Sequence, residues 1–361
     1  MNKVLIQAGA ALLGVLAAVP AAARDPLQSP ARMSLRAPQA MLTALALAGS
    51  RAVAVGERGI VLYRDASGAW QQAKVPVSVT LTGVAFAGAS KGWAVGHDGA
   101  ILSTSDGGQQ WTLRFDGNKA NELMLADAKA ALARAQAAGG KADANALADA
   151  ETALGDIEAA AKFGPSRPLL GVWFRDAQTG YAVGAYGQAF RTADGGASWS
   201  SMGAALPNPE GLHYNAIAGG EGNTLAIAGE AGRVYRSNDG GGSWKGSETG
   251  YSGQLYGVLF TGRSLLAYGF GGHVFRSEDN GATWRETPAV TKKSLIGGAL
   301  QGSSILLAAQ DGALLRSDDD GASFRIVRQG DAIATAGMLA LNGTVLLAGI
   351  GGVRAAEGGK P

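Results

Sequence analysis

Cysteine is absent from the 361 residues of this chain, and its absence excludes several kinds of site. A chain without cysteine forms no disulfides, offers no thiolate ligands to a metal and cannot carry a lipid anchor on a cysteine. Histidine is scarce as well, because His97, His213 and His273 are the only three. None of them belongs to the His-x-x-x-His or His-x-x-Glu-His spacing of a zinc site. The sequence therefore predicts no metal site and no other cofactor.

The chain also lacks an excess of charge of one sign. Lysine and arginine total 31 and aspartate and glutamate total 29, which gives a formal net charge of +2. A protein that binds a polyanion usually carries a strongly basic surface. We therefore expect no nucleic-acid partner.

Long apolar runs are lacking too, except for one at the start of the chain. Val4 to Val19 is apolar, follows Lys3 and precedes the small residues Ala21-Ala22-Ala23. This order is typical of a cleavable secretory signal, with an uncleaved membrane anchor as the alternative. No later run is long and apolar enough to cross a bilayer. The sequence predicts a signal peptide at residues 1–23 and a periplasmic mature chain, 24–361, that does not insert into the membrane.

Glycine, by contrast, is abundant at 56 residues, and it recurs in the motif Ser/Thr-x-Asp-x-Gly-x-x-aromatic. In a tight turn the Asp carboxylate can accept backbone N–H groups, and the Gly can take a positive φ. This motif resembles the Asp-box, or BNR, repeat. A degenerate sixth copy, Tyr63 to Trp70, has Ser67 in place of the Gly. The aspartates of the five full copies are Asp106, Asp194, Asp239, Asp279 and Asp319.

The spacing of the repeats predicts the architecture. Successive box aspartates lie 40 to 45 residues apart, except for a gap of 88 between Asp106 and Asp194. A period near 40 with several short strands per repeat is typical of a β-propeller. A four-residue turn that ends in glycine recurs seven times, from Gly56–Gly59 to Gly349–Gly352, which predicts an all-β fold with seven blades. The seventh repeat stops near Val353-Arg354, so we expect a segment within Asp25 to Ala37 to supply its outer strand.

The long gap contains an alanine-rich insertion at residues 117–164. Its pattern predicts a helical hairpin between blades 2 and 3, with one helix over Asn121 to Ala138 and a second capped by Asp143 and ending near Lys162. The hairpin should rise from the face that carries the turns between second and third strands. Leucines at seven-residue spacing could dock into a partner's groove, and a passive surface decoration is the alternative. These leucines are Leu125, Leu132, Leu147 and Leu154.

Two further sets of residues are candidates for partner binding. The first set comprises exposed rings on the hairpin face, and it consists of His97, Tyr186, Tyr214, Tyr251 and Phe270. The second set stands three residues before four of the five full-box aspartates, and it consists of Arg191, Arg236, Arg276 and Arg316. These arginines could form a basic patch for an acidic partner. Their repetition with the box favours a structural role, in which each guanidinium stacks on a box Trp or pairs with a carboxylate of the neighbouring blade.

Catalytic residues are not apparent in the sequence. Asp boxes occur in sialidases, but the Arg-Ile-Pro motif of those enzymes is absent. Other glycosidases need two carboxylates across a cleft, and the turn carboxylates show no evident pairing. We predict that the chain is not an enzyme. A secreted carbohydrate-active enzyme or sugar-binding propeller remains the alternative.

Three recurring segments carry a resemblance to one family. They are Gly83-Val84-Ala85-Phe86, Gly92-Trp93-Ala94-Val95-Gly96 and the Asp boxes. In these the mature chain resembles the photosystem II stability/assembly factor family of Asp-box propellers. The resemblance implies a non-enzymatic protein, since photosynthetic members chaperone a membrane reaction-centre subunit. Exported relatives outside photosynthesis are associated with RND-type (MMPL-like) exporters. The resemblance thus implies a periplasmic scaffold, assembly or accessory factor that docks on an inner-membrane complex.

Overall fold

The computed structural model describes residues 25–66, 68–138, 145–341 and 343–356. The predicted signal peptide at 1–23, Ser67 of the degenerate box and the predicted cap Asp143 lie outside the described residues.

The fold is a ring of seven antiparallel sheets, which confirms the predicted seven-bladed propeller. The first six sheets have four strands each and the last has three. Within each sheet the strands follow one another in chain order. The innermost strand of each blade contacts that of the next blade, and the seventh contacts the first, so the ring is closed.

The strand bounds, blade by blade, are as follows. Blade 1 holds β1 Leu42–Ala48, β2 Arg51–Gly56, β3 Val61–Arg64 and β4 Gln71–Gln72; blade 2 holds β5 Leu81–Ala87, β6 Lys91–Gly96, β7 Ile101–Thr104 and β8 Thr112–Phe115; blade 3 holds β9 Leu169–Phe174, β10 Gly180–Gly184, β11 Ala189–Thr192 and β12 Ser200–Ser201; blade 4 holds β13 Tyr214–Gly219, β14 Leu225–Gly229, β15 Arg233–Ser237 and β16 Lys245–Glu248. Blade 5 holds β17 Leu255–Phe260, β18 Leu265–Gly269, β19 Val274–Ser277 and β20 Arg285–Thr287; blade 6 holds β21 Leu295–Gln301, β22 Ser304–Ala309, β23 Leu314–Ser317 and β24 Arg325–Arg328; blade 7 holds β25 Thr335–Leu341, β26 Thr344–Gly349 and β27 Gly352–Ala356.

The core lies between the blades, and the second strand of each blade is its most buried element. Every residue of β10 and β18 is buried. A short apolar strand sandwiched between two neighbouring sheets needs apolar residues on both faces, which explains the continuous apolar runs in the sequence. Each such strand ends in a turn of the type Gly56 to Gly59. We call the side of the ring that carries these turns the turn face, and the side that carries the Asp boxes the box face.

Blade 7 has three strands in the described residues, and the predicted fourth strand from the N-terminal segment is wrong. That segment seals the outer wall between blades 1 and 2 instead. The Ala31 N–H donates to the Val75 carbonyl at 3.0 Å, and the Ser78 N–H donates to the Pro26 carbonyl at 2.8 Å. Its 3₁₀ turn, Ala37–Gln39, contacts β27 without adding a strand to that sheet. Three prolines within residues 26–38 remove the donors that a regular strand ladder would need.

The insertion forms the predicted helical hairpin, with α1 Gly117–Ala138 and α2 Ala146–Ala161. Helix α1 begins four residues earlier than predicted because Asp116 caps it. The Asp116 carboxylate accepts the N–H groups of Asn118 at 3.0 Å and Lys119 at 3.1 Å. Helix α1 contacts the turn at residues 97–99, which confirms that the hairpin stands on the turn face. Ala120 is fully buried in the blade 2–blade 3 core, so the base of the hairpin is part of the propeller.

Candidate functional site

The Asp boxes are saturated by their own hydrogen bonds, as the sequence predicts. In blade 5 the Asp279 carboxylate accepts the N–H groups of Ala282 at 3.0 Å and Thr283 at 2.8 Å, and the Thr283 hydroxyl at 2.6 Å. The Ser277 hydroxyl donates to the same carboxylate and accepts the Gly281 N–H at 2.7 Å. These bonds hold the pKa of Asp279 below its usual range, led by the Thr283 hydroxyl. The box aspartates therefore shape turns and are not free to bind a ligand.

Each full box is also held by a side chain of the preceding blade. At all five of these junctions the acceptor is the backbone carbonyl of the residue that follows the box aspartate. The donors and acceptors are Arg51 to Gly107 at 3.3 Å, Trp93 to Gly195 at 2.9 Å, Tyr181 to Gly240 at 2.7 Å, Arg236 to Asn280 at 3.4 Å and Arg276 to Asp320 at 2.7 Å. The box turn thus joins neighbouring blades as well as closing its own hairpin.

Two of the four recurring arginines, Arg236 and Arg276, make these contacts to the box of the next blade. Arg276 contacts the carboxylates of Glu278 and Asp320, and Arg316 contacts Asp318 at 2.7 Å. Arg236 donates to the next blade, and Arg191 is exposed. Because Arg276 and Arg316 are paired with carboxylates, the set does not form a continuous patch of unpaired positive charge. The predicted pairing with a neighbouring blade is confirmed for Arg276.

The turn face carries a groove of about 390 Å³ between the helical hairpin and blades 3 and 4. The hairpin supplies one wall, and the opposite wall comes from the turn after β10 and the connection from blade 3 to blade 4. Its apolar lining includes Met124, Ala128, Ala131, Ile157 and Leu206. Its polar lining includes Asp127, Arg134, Asp156, Arg167, Asn208 and Glu210. A concave apolar surface with a few polar groups is the usual form of a binding site.

Arg167 and Tyr186 stand together at this groove. The Arg167 guanidinium carbon lies 5.4 Å from the centroid of the Tyr186 ring, and its Nη1 is 3.8 Å from the Met124 sulfur. The Tyr186 side chain is 55% exposed. Burial lowers the pKa of Arg167, although Tyr186 and Asp156 counteract that effect. The pair presents a cation and an aromatic ring to a ligand that enters the groove.

The aromatic candidates have different places in the structure. Tyr186 borders the groove, whereas the expectation that Tyr214 is exposed is wrong, since it is 1% exposed. Tyr214 opens β13, and its ring packs edge-on against Tyr235 at 5.2 Å, so it forms part of the floor. Tyr251 stacks on His273 at 4.4 Å and donates its hydroxyl to the Phe270 carbonyl at 3.2 Å. His97 and Phe270 are exposed, but they do not line the groove.

The four leucines of the hairpin lie away from the groove lining. Leu125, Leu132 and Leu154 are partly buried and Leu147 is exposed, and none of them lines the groove. Their role as docking anchors stays a prediction. The face of α1 that lines the groove carries Met124, Ala128 and Ala131 instead, and sequence reasoning missed it together with Arg167. The signal that could have indicated the α1 face was its own three- and four-residue spacing.

Several other site types can be assessed over the described ranges. Within them, no group of three or more His, Asp or Glu side chains is arranged to hold a metal ion. Neither hairpin helix is long and apolar enough to cross a membrane. The central channel of about 1,090 Å³ is lined mainly by apolar residues and backbone, and Asp311 is the single carboxylate among the described residues that line it. A two-carboxylate hydrolytic site is therefore not formed there.

Comparison with known proteins identifies relatives of the same architecture. The family described as Photosynthesis system II assembly factor YCF48 matches residues 62–130 and 160–287. Photosystem II assembly protein Ycf48 of Synechococcus sp. (strain JA-2-3B'a(2-13)) is 32% identical over 161 residues, 44% of this chain and 47% of the relative. Its counterpart in Synechococcus sp. (strain JA-3-3Ab) is 34% identical over the same shares. The chain thus matches about half the length of these curated relatives.

Solved structures extend the likeness to most of the ring. A structure described as YCF48 bound to D1 peptide has a TM-score of 0.61 at 17% identity, covering 88% of this chain and 93% of the other. YCF48 from Cyanidioschyzon merolae has a TM-score of 0.59 at 14% identity, covering 91% and 97%. The outer part of the hairpin, 131–159, falls between the two family matches. On the strength of those matches, the chain belongs to the Photosynthesis system II assembly factor YCF48 family.

Proposed function

We propose that this protein is a non-enzymatic periplasmic assembly or accessory factor that docks on an inner-membrane protein complex. An RND-type (MMPL-like) exporter is the candidate partner. The observation that carries the proposal is the groove that the helical hairpin makes with blades 3 and 4 on the turn face. It combines an apolar floor with an exposed aromatic ring, which are the features of a protein-binding surface.

Two further observations support a binding role. The box aspartates are committed to their own turns, and the central channel offers one described carboxylate, so a hydrolytic site has no evident place. One solved relative is described as bound to a D1 peptide. A related propeller can therefore hold a segment of another protein, and a rigid ring with one elaborated face suits the same task here.

The experiment is a pulldown with mild crosslinking from native membranes of cells that express the tagged full chain. We expect an inner-membrane complex to copurify with the wild-type protein. The first variant replaces 118–163 with a Gly/Ser linker, and the second replaces only 132–152, which retains the buried Ala120. We expect both to lose the complex while circular dichroism shows a folded propeller. Arg325→Gln, an exposed change on the box face, is the matched control and should retain it.

Two results would contradict the proposal. One is a wild-type protein that retains no inner-membrane protein above the level of an untagged sample. The other is a pair of hairpin variants that retain the complex at wild-type yield, which would move the docking surface elsewhere. Identification of an exporter subunit by mass spectrometry would test the candidate partner separately.

A further inference from the structure

Five exposed apolar side chains lie on one half of the turn face, over blades 5, 6, 7 and 1. Phe270 and Ile350 stand at the same position in the turns of blades 5 and 7. Val290 and Ile333 lie in the connections that enter blades 6 and 7, and Met41 directly precedes β1. These side chains are between 38% and 59% exposed, and we call them the apolar arc. Among the described residues, no box-face turn exposes a large apolar side chain to this degree.

The loops that carry the apolar arc are joined to one another by backbone hydrogen bonds. The Gln310 N–H of the blade 6 turn donates to the Ser294 carbonyl, in the connection into blade 6, at 2.8 Å. The Gln310 carbonyl accepts the Thr335 N–H at 2.8 Å, and the Ile350 N–H of the blade 7 turn donates to the Ala334 carbonyl at 3.0 Å. The 3₁₀ turn that contacts β27 continues the series to blade 1. The arc is therefore one continuous strip of surface.

Hydrogen bonds also fix the backbone beneath the exposed side chains. The Phe270 N–H donates to the Gln254 carbonyl at 2.9 Å, and the Phe270 carbonyl accepts the Tyr251 hydroxyl at 3.2 Å. The Ile333 N–H donates to the Asp331 carboxylate at 3.0 Å. The fold thus holds these apolar side chains toward solvent. An exposed apolar patch with polar surroundings marks a surface that binds either another protein or a membrane.

The shape of the arc and the lysines beside it favour a membrane. None of the five side chains lines the groove or the central channel, so the arc does not enclose a segment of a protein. Lys292 and Lys293 follow Val290 in the same connection and are exposed. Among the described residues, neither has a carboxylate within 4.0 Å. Lysine is depleted in protein–protein interfaces, whereas it is a usual partner of anionic lipid headgroups.

The charge around the arc has the sign that an anionic lipid surface requires. Its loops, with the two arginines that pair with Asp331, carry five cations and three carboxylates, a net charge of +2. The cations are Arg58, Lys292, Lys293, Arg328 and Arg354, and the carboxylates are Glu57, Asp311 and Asp331. The groove, by contrast, is lined by three carboxylates and two arginines. The hairpin stands over the other half of the face, with α1 against β12 at the outer edge of blade 3, and leaves the arc uncovered.

We propose that the apolar arc rests on the surface of an anionic lipid bilayer. Its five side chains enter the headgroup layer, and Lys292 and Lys293 pair with lipid phosphates. Separate apolar side chains beside cations suit the interface of a bilayer, whose lipids rearrange around them. This contact needs no membrane-spanning segment. The assignment rests on the proposed function in one respect, since that function places the protein at a membrane, and it adds lipid as a second contact of the turn face.

The test measures binding to vesicles in the absence of any partner protein. The chain 24–361, which retains every described element, is sedimented with vesicles of an equal mixture of phosphatidylcholine and phosphatidylglycerol, and with vesicles of phosphatidylcholine alone. We expect the anionic vesicles to bind the protein about fivefold or more tightly than the neutral ones. Added salt should reduce that difference, because it screens the lysines.

The apolar part of the contact is tested by a matched pair of double variants. Phe270→Ser combined with Ile350→Ser should weaken binding to anionic vesicles by about tenfold or more, because it removes two of the apolar side chains that leave water. Leu300→Ser combined with Ile326→Ser changes two exposed apolar residues of β21 and β24, outside the turn-face loops, and should bind like the wild type.

The charged part uses a second matched pair. Lys292→Gln combined with Lys293→Gln should weaken binding to anionic vesicles by about tenfold or more and leave binding to neutral vesicles unchanged. Lys91→Gln combined with Lys245→Gln removes two exposed charges from β6 and β16 and should bind both kinds of vesicle like the wild type. Thermal melts of all variants show whether the propeller is intact.

A fluorescent label reports which face meets the lipid. Because the chain has no cysteine, one introduced cysteine takes an environment-sensitive fluorophore at a single position. On anionic vesicles the emission of a label at Ile350→Cys should shift to the blue. A label at Ser303→Cys, in an exposed turn of the box face, should not shift.

Three results would overturn the assignment. They are a wild type that does not sediment with anionic vesicles, Phe270 and Ile350 or lysine variants that bind like the wild type, and equal label shifts on the two faces. If the wild type binds no vesicles and the Phe270 and Ile350 variant loses the membrane complex in the pulldown, the arc binds protein and the lipid assignment is wrong. If the wild type binds vesicles but retains no membrane complex, the docking function is wrong and the lipid assignment stands.

Discussion

Arg276 and Asp320 belong to neighbouring blades and are joined twice. Arg276 Nη2 lies 2.8 Å from the Asp320 carboxylate, and Arg276 Nε donates to the Asp320 backbone carbonyl at 2.7 Å. The same carboxylate accepts the hydroxyls of Thr261 at 2.5 Å and Ser264 at 2.7 Å. Burial alone would raise the pKa of Asp320, but these hydrogen bonds outweigh it and lower the pKa. One residue thus ties the first hairpin and the third strand of blade 5 to the box of blade 6.

Loss of this pair should destabilise the ring measurably. The two side chains are 19% and 17% exposed, so Arg276→Met leaves a largely desolvated carboxylate without its cation. We expect a loss of about 1–3 kcal/mol in the free energy of unfolding. Arg325→Met removes an exposed ion pair with Asp318 and should cost at most about 1 kcal/mol. Urea unfolding compares the two, and equal losses would contradict the ranking.

The degenerate box of blade 1 should contribute less to the free energy of unfolding than a full box does. Asp106 accepts the N–H groups of Gln109 at 2.9 Å and Gln110 at 3.1 Å, whereas the only described side-chain partner of Asp65 is Arg51. Asp106→Ala leaves those amides without their acceptor and should cost about 1–3 kcal/mol of stability. Asp65→Ala removes one partly exposed ion pair and should cost about 1 kcal/mol or less. A larger loss for Asp65→Ala in denaturant unfolding would refute this reasoning.

Acid should weaken the fold over a defined pH range. The Ser198 hydroxyl and N–H, with the Thr192 hydroxyl, lower the pKa of Asp194 from 3.8 to about 2. Against its own burial, hydrogen bonds and nearby arginines lower the pKa of Asp331 to about 2 as well. A carboxyl group whose pKa is lower in the folded state stabilises the fold above its unfolded pKa. This stabilisation is complete above about pH 4 and is lost as the pH falls toward about 2.

The matched test of this pH dependence changes one hydroxyl. Ser198→Ala removes a donor to Asp194, so the pKa of Asp194 should return toward its ordinary value. The difference in unfolding free energy between pH 6 and pH 3 should then be smaller than in the wild type. Ser200→Ala, which removes a long 3.5 Å contact to the Arg191 carbonyl, should leave that difference unchanged. Identical pH dependence in Ser198→Ala and the wild type would sink the idea.

The N-terminal segment should stabilise the propeller through its buried side chains rather than as a strand. Leu27 is 6% exposed in the core between blades 1 and 2, whereas Leu35 is fully exposed. Leu27→Ala should cost about 2–5 kcal/mol, the usual range for a buried leucine. Leu35→Ala in the same segment should change stability by about 0.5 kcal/mol or less. Thermal or urea unfolding of the two variants would decide, and a silent Leu27→Ala would show that the segment does not seal the wall.

Features that repeat along the chain could be predicted from the sequence. The box motif and the glycine turns each specify a local backbone geometry, so seven copies of the turn predict seven blades. The helical hairpin and the face from which it rises could also be predicted from the sequence. The insertion lies between the last strand of blade 2 and the first strand of blade 3, and the order of strands places that connection on the turn face. The saturated carboxylate of Asp279 was predictable because the motif itself contains both the acceptor and the donors.

Features that depend on distant contacts could not be predicted in the same way. The seventh repeat lacks one strand, and the N-terminal segment was predicted to supply it. The prolines of that segment and the buried Leu27 place it instead against the outer wall beside Val75. Tyr214 was predicted to be exposed because it was placed in a connection on the hairpin face, yet it begins β13 and is covered by its neighbours. Arg167 carries no periodic signal, because its position beside the Tyr186 ring at the groove is a property of three-dimensional placement.

In each contact between neighbouring blades, a side chain of one blade donates to the box of the next blade along the chain. These contacts link blades 1 to 6 and are not repeated on either side of blade 7 in the described residues. Blade 7 has no box to receive a side chain from blade 6, and blade 1 has only the degenerate copy. Where the ring closes, β25 lies against β1, and the described part of blade 7 offers the outer edge of β27 no strand partner. Cooperative units open first where the fewest contacts cross. The propeller should therefore open first at the two junctions that flank blade 7, and amide hydrogen exchange should be fastest in β27 and slowest in the central strands of blades 3 to 5.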